Sequence, residues 1–336
     1  MKRVLKKTGK VLLIILIVLL SLLAIIAIWN QIALAVEKGK IVPLGVLVEV
    51  DGYNMHVWVD GEKNGKPTLV YLRGHGDDPY FSARPLLDRL SGEYQVAVVE
   101  HFGYGFSDNA NLSRDVATVM RQYRAALQQA GVAAPYVLLP FSYSGVEAVY
   151  HAQEHPDEIA AIIGLDCSVP MQEAEEGYWG NAFLESLALN LGAIRVISWI
   201  DADFSLPPYE KYSDTPFFTD NEKAQYRYLL YRFASRYKIL HNEAKATKAN
   251  KELTYRRGAP DIPILHFIAL RDANEWRGDE QTLENYINSW LQPRYDLAEK
   301  HDNVEVIEID GGHGFFIEEP AQTAETILEY LERVLR

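Results

Sequence analysis

From Gly45 onward, short apolar runs of strand character alternate with segments whose apolar residues fall at helical spacing, and this alternation restricts the fold more than any other feature of the chain. The strands are read at GVLVEVD, YNMHVWVD and PTLVYLR, and then at YQVAVVE, YVLLP, AAIIGLD, PILHFIAL and NVEVIEID. Turn residues Asp51-Gly52 and Asn64-Gly65 separate the first three, which read as a hairpin followed by a buried strand. Helical spacing is found at residues 85–90, 115–130 and 323–335, with Ser113 expected to cap the second helix and Gly131 to end it. Strands that are apolar along their whole length must be covered on both faces. The expectation is therefore an α/β protein with a mostly parallel sheet and helices on either side.

One stretch breaks the rhythm. Residues 169–260 contain no strand-helix unit, and a structureless loop of that length does not fit a compact domain. A helical insertion is expected there. Its aromatic residues include Tyr178, Trp179, Phe183, Trp199, Phe217 and Phe218; most are expected to pack the insertion's own core, with a few lining a cavity. Residues 221–253 carry Arg227, Arg232, Arg236, Lys245 and Lys248, read as a solvated face or, alternatively, as a contact for an anionic membrane surface.

The N-terminus has a different character. Lys2, Arg3, Lys6, Lys7 and Lys10 precede a charge-free apolar run over residues 11–29, which as a helix would extend about 29 Å, close to the hydrocarbon thickness of a bilayer. A signal peptide cleaved after Ala35 is the competing reading, but its apolar core would be only about 7–15 residues long. We therefore expect an uncleaved transmembrane anchor over 11–35. The basic segment 1–10 would then be cytoplasmic and the rest of the chain on the opposite side, or secreted if cleavage occurs. Without those five basic residues, 28 basic residues face 46 acidic ones, a formal charge of −18, which argues against nucleic acid as a partner. Cys167 is the single cysteine, so no internal disulfide can form and the fold must rest on packing.

The chemistry is sought in YVLLPFSYSGVEA, where an apolar strand runs through Ser-Tyr-Ser-Gly into a helix. A nucleophilic serine on so sharp a turn tolerates only small neighbours two residues away. Ser142 has Pro140 and Ser144 in those places, whereas Ser144 has Ser142 and the branched Val146. Ser142 is the better candidate. The reading that competes with it is a serine that merely caps the following helix.

Taken together with its context, LPFSYSGVEAVYHAQEHPDEIAAIIGLD resembles the corresponding part of α/β-hydrolase-fold serine hydrolases. LVYLRGHG is similar to that family's oxyanion loop, VVEHFGYGFSD to the loop after its fourth strand, and EIDGGHGFFIEEP to the loop bearing its catalytic histidine. The resemblance implies an α/β-hydrolase fold of about eight strands, with a helical cap at 169–260 inserted after the sixth strand into a core of 36–168 and 261–336. It implies a nucleophile at Ser142, a general base at His313 and an acid at Asp272, in the chain order Ser, Asp, His. Asp166, at the end of the sixth strand, is the alternative acid.

Oxyanion donors would be the backbone N–H groups of His75 and Tyr143, with Gly74 and Gly76 allowing close approach. Arg73 stands where the family often has histidine, and Glu100 where it usually has aspartate. The activity implied is hydrolysis of an ester or amide in a small or lipid-like substrate, carboxylesterase-like or lipase-like first and peptidase or amidase next. Epoxide and haloalkane hydrolysis is disfavoured because those relatives carry aspartate at the elbow. A catalytically silent, membrane-anchored binding protein is the rival from another class.

Two shorter motifs are set aside. HAQEH, spanning His151 and His155, matches H-x-x-E-H, but Pro156 ends the helix there and histidines suit its last turn anyway, so no metal is inferred. Gly103-Tyr104-Gly105 lacks the third glycine of a dinucleotide fingerprint, since Asp108 occupies that place, and no cofactor is implied.

Overall fold

The eight apolar runs are the eight strands of one sheet: β1 (Val46–Val50), β2 (Tyr53–Asp60), β3 (Thr68–Leu72), β4 (Val96–Glu100), β5 (Tyr136–Pro140), β6 (Ile159–Leu165), β7 (Ile264–Ala269) and β8 (Val304–Ile309). The computed structural model describes residues 2–172, 174, 177, 182–232 and 237–336, and side chains from residue 8 onward except those of 182, 183, 185 and 186. Tyr178, Trp179 and Arg236, and the side chain of Phe183, lie outside the described residues. Strand order is β1-β2-β4-β3-β5-β6-β7-β8. β2 pairs antiparallel with both β1 and β4, and every other pairing is parallel. β3, β4 and β5 are buried at every position, as strands covered on both faces must be.

The helices are α1 (Lys2–Lys38), α2 (Pro79–Leu90), α3 (Val116–Gln129), α4 (Gly145–Glu154), α5 (Ala182–Asn190), α6 (Ala193–Ile200), α7 (Asp220–Tyr231), α8 (Tyr237–Arg256), α9 (Arg271–Asn274), α10 (Glu280–Tyr286), α11 (Gln292–Lys300), α12 (Phe315–Glu318) and α13 (Pro320–Val334). Because side chains alternate along a strand, β3 sends Val70 and Leu72 into one core layer with Tyr123 and Leu127 of α3 and Val149 of α4. Tyr71 points the other way and meets Phe316 of α12, while α2 packs against α12 and α13.

Two expected boundaries move. α2 starts at Pro79, where proline is tolerated in the first helical turn, and it carries Pro85 inside it, held by the burial of Tyr80, Phe81 and Ala83. The cap of α3 is Asp115 rather than Ser113: the Asp115 carboxylate accepts the Thr118 N–H at 2.8 Å, while the Ser113 hydroxyl donates to Asp115. Gly131, at φ +76°, ends α3 in the left-handed conformation that glycine adopts without strain.

The chain divides into two compact units. One comprises Pro43–Trp179, Pro207–Phe217 and Lys238–Arg336, and so contains the sheet and α8; the other comprises Met1–Val42, Gly180–Leu206 and Phe218–Tyr237. The segment expected to form one insertion, 169–260, is thus shared between them. α1 is long and apolar enough to cross a membrane over Thr8–Lys38, with mean hydropathy reaching 3.6, and within its unit it packs against α5 and α7.

Candidate active site

β5 ends at Pro140, Phe141 bridges to Leu165 of β6, and the chain then turns through a 3₁₀ segment, Ser142–Ser144, into α4. The turn is sharp enough to hold Ser142 at φ +55°, a left-handed conformation uncommon for a residue other than glycine and concentrated at functional sites. Two glycines make room for it. A Cβ on Gly145 would lie 1.9 Å from the Ser168 carbonyl oxygen, and one on Gly74 would lie 2.9 Å from the Phe141 ring and 3.1 Å from Cβ of Ser142.

The two serines have separate fates. The Ser144 hydroxyl is buried, donates to the Leu72 or Phe141 carbonyl (2.9 Å each) and accepts the Phe141 N–H, so it braces the turn. Ser142 is partly exposed, and its hydroxyl makes no hydrogen bond among the described residues, to His313 or to any other group.

His313 lies between Gly312 and Gly314 in the loop after β8, with its ring 4.8 Å from that of Phe141. Its Nδ1 is 2.6 Å from Oδ2 of Asp166, and this contact differs from the expected one. Asp166 is fully buried at the end of β6. Besides the imidazole, its carboxylate accepts the Trp290 indole N–H at 3.2 Å and the Ala269 N–H at 3.3 Å, and it lies 3.5 Å from the Arg294 guanidinium.

Asp272, expected on the ring, is exposed in the first turn of α9 and accepts instead the backbone N–H of His313 at 3.3 Å. Geometry separates the two acids. Because β6 neighbours β5, the Phe141–Leu165 bridge puts Asp166 level with Ser142, whereas the start of α9 is hydrogen-bonded to the loop after β8 through Arg271 N–H and the Gly311 carbonyl. Sequence reasoning also missed Trp290 and Arg294. Trp290 lies on a π-helical turn, Ile287–Leu291, and its ring packs edge-on against His313 at 5.5 Å. Such turns concentrate at functional sites, but no local sequence signal marks this one.

The loop after β3 carries Gly74, His75 and Gly76. The Gly76 N–H donates to the Tyr104 hydroxyl at 3.2 Å. Tyr143 occupies the second position of the 3₁₀ turn, where a backbone N–H has no acceptor within the helix. His75, Ser142, Tyr143 and Trp290 line a cavity of about 320 Å³ together with Ser168 and, from α8, Ala244, Thr247 and Lys251. That size lies at the lower end of small-molecule sites. Burial lowers the His75 imidazole to about 4, so it is neutral near pH 7.

Beneath this loop is a buried ionic cluster that explains Arg73. Its guanidinium donates to Glu243 of α8 at 2.7 Å and to the Gly74 carbonyl at 3.2 Å, approaches His101 Nδ1 at 3.0 Å, and stacks 4.1 Å from the Tyr104 ring centre. Burial works against the Arg73 charge, and the surrounding groups, Glu243 first and then Tyr104, Glu147 and Tyr143, together outweigh it. Tyr104 in turn donates to Glu243 at 2.5 Å, so one carboxylate ties both the arginine and the partner of Gly76 to α8. At the end of β4 the buried Glu100 accepts the Phe106 N–H at 2.6 Å and pairs with His56 at 3.0 Å, while Gly105 at φ +46° in the following loop leaves room for its carboxylate.

Comparison with known proteins bears on the family and the fold. A sequence model described as the Alpha/beta hydrolase family matches residues 69–326. The uncharacterized Bacillus subtilis protein YbdG is 28% identical over 310 residues, 91% of each chain. Among solved structures, the enol-lactonase of Burkholderia xenovorans superposes with a TM-score of 0.58 at 16% identity, covering 85% of this chain and 100% of that one. The epoxide hydrolase CorEH gives 0.58 at 18% identity, with 87% and 99% covered. A haloalkane dehalogenase loop variant from Bradyrhizobium elkanii gives 0.57 at 15%, with 86% and 96% covered. At such identities these structures share the fold.

The ionic cluster has a pH signature. Burial pushes the Glu147 carboxyl up to about 7 from an ordinary 4.5, although Arg73 pulls it down. The folded chain therefore holds a proton that the unfolded chain has released. The stability this gives is fully present below about pH 4.5 and is lost as pH rises through about 7. Glu147→Gln, which mimics the protonated form, should gain stability relative to wild type as pH rises from about 5 to about 8. Urea midpoints for both proteins across that range check the sign.

Proposed function

We propose that this chain, which belongs to the alpha/beta hydrolase family, hydrolyses ester or amide bonds through Ser142. The observation that carries the reading is the strained serine at the end of β5, next to Phe141, whose ring packs against a histidine with its Nδ1 hydrogen-bonded to a fully buried carboxylate. A serine hydroxyl is a poor nucleophile until an adjacent base takes its proton, and that base must be held in the right tautomer. Asp166 fulfils the second need by accepting the Nδ1 proton of His313, which leaves Nε2 as the base.

In this reading His313 Nε2 removes the Ser142 proton as Oγ attacks the substrate carbonyl carbon. The Tyr143 and His75 N–H groups receive the charge that develops on the carbonyl oxygen. Collapse breaks the bond to the alcohol or amine, which leaves with the proton from His313, and an acyl-enzyme remains on Ser142. Water, deprotonated by His313, then attacks the acyl carbon, releasing the acid and returning the proton to Ser142. Serine rather than aspartate at the elbow favours carbonyl substrates over haloalkanes and epoxides, and carboxylesterase-like or lipase-like chemistry leads. The same reading takes α1 as an uncleaved anchor, with residues 1–10 cytoplasmic and the sheet-bearing unit on the opposite side.

Two outcomes test it. A fluorophosphonate probe should label the wild type and leave Ser142→Ala unlabelled; a folded wild type that does not label would instead support a silent binding protein. Asp166→Asn should lower turnover of a fluorogenic ester by roughly a thousandfold or more, the scale of losing the correct histidine tautomer. Asp272→Asn should stay near wild type, and the opposite ranking in steady-state kinetics would return the acid role to Asp272.

A further inference from the structure

The unit that contains α1 presents an apolar surface that the hydrolase chemistry does not use. On α6, Arg195 is buried, whereas Ile197, Trp199 and Ile200 are 41%, 71% and 83% exposed, and the helix bears no other charge. Three apolar side chains that open to solvent at one helix end mark an interaction surface.

What covers that surface is indicated by where α6 is fixed. The Arg195 guanidinium donates to Asn30 at 2.6 Å and to the two carboxylate oxygens of Glu37 at 2.7 and 2.5 Å. It also stands 4.1 Å from the Tyr231 ring centre and 5.5 Å from that of Trp29. Asn30 is 1% exposed and donates to the Asn190 carbonyl at 3.4 Å. The Trp29 and Trp199 rings lie 5.0 Å apart.

α6 is therefore clasped to the last turns of α1, directly after its charge-free stretch. Residues 11–29 rise about 29 Å, enough to fill the hydrocarbon core, so Trp29 falls at the level where that core meets the headgroups. Trp199 shares that level, and tryptophan is enriched at such boundaries. The exposed apolar surface of α1 continues through this pair onto α6.

We propose that α6 lies in the extracytoplasmic lipid–water interface, with Ile197, Trp199 and Ile200 inserted at the headgroup–acyl boundary. Unit and membrane are then joined by a spanning helix and by an interfacial one. This rests on the anchor reading above and is independent of Ser142 chemistry. The Arg195 clasp has a corollary: cleavage after Ala35 would remove Asn30 and strip the guanidinium of a buried partner.

The native cysteine, Cys167, is buried, so single labels can be added cleanly. Full-length protein carrying Ile200→Cys or Ile197→Cys, labelled with an NBD fluorophore and placed in phosphatidylcholine–phosphatidylglycerol nanodiscs, should show blue-shifted emission. The label should be quenched by doxyl-labelled lipid and protected from aqueous iodide, with unlabelled-site wild type as the blank and thermal melts confirming folding. Quenching by iodide without doxyl quenching would place α6 in water and overturn the proposal. Protection from both quenchers would place protein on the patch, such as a second copy, and would overturn it equally. An N-terminal tag, followed in parallel, reports the anchor: loss of the tag on export overturns the anchor reading, whereas an intact tag with iodide-accessible labels overturns this inference alone.

Discussion

The hydrogen bond between Asp166 and His313 joins the end of β6 to the loop after β8, across the intervening strand β7. It places a histidine flanked by glycines at a fixed point beside the Ser142 turn. Everything that could make the corner reactive depends on it, because a histidine without a held tautomer is a poor base. The carboxylate is fully buried, so it requires several partners, and it has them: an indole, a backbone amide and a guanidinium besides the imidazole. A buried charge with fewer partners would cost several kcal/mol.

A second buried cluster does for the loop after β3 what the first does for the histidine. Arg73, Glu243, Tyr104 and His101 connect the loops after β3 and β4 to α8. α8 arrives in the sequence long after the strands it supports, yet Glu243 and Asn250 reach the site's framework directly, Asn250 by donating to the Tyr143 hydroxyl at 2.9 Å. The segment following β6 thus contributes a structural strut to the sheet-bearing unit in addition to lining the cavity.

How much of this could be read from the sequence follows from the range of the interactions. The strands were legible because continuous apolar runs such as YVLLP and PILHFIAL suit only a sheet covered on both faces. That Ser142 rather than Ser144 takes the strained corner was legible because the turn's steric demands fall on its immediate neighbours. Which carboxylate meets the His313 ring was not, since Asp166 and Asp272 both follow parallel strands and the partners that single out Asp166 stand 124 and 128 residues further on, at Trp290 and Arg294. Arg73 was visible only as an anomaly, and its explanation, Glu243, is 170 residues away. The helical spacing read over residues 85–90 covers only the second half of a helix that Pro79 begins, because its first turns hold Pro79 and the buried Tyr80, Phe81 and Ala83.

Asp166, and not Asp272, stands against Nδ1 of His313. Proton NMR of ¹⁵N-histidine-labelled protein tests it without reference to any substrate. A strongly low-field imidazole N–H resonance is expected in the wild type, one that survives Asp272→Asn and vanishes in Asp166→Asn. Survival in Asp166→Asn with loss in Asp272→Asn would contradict it.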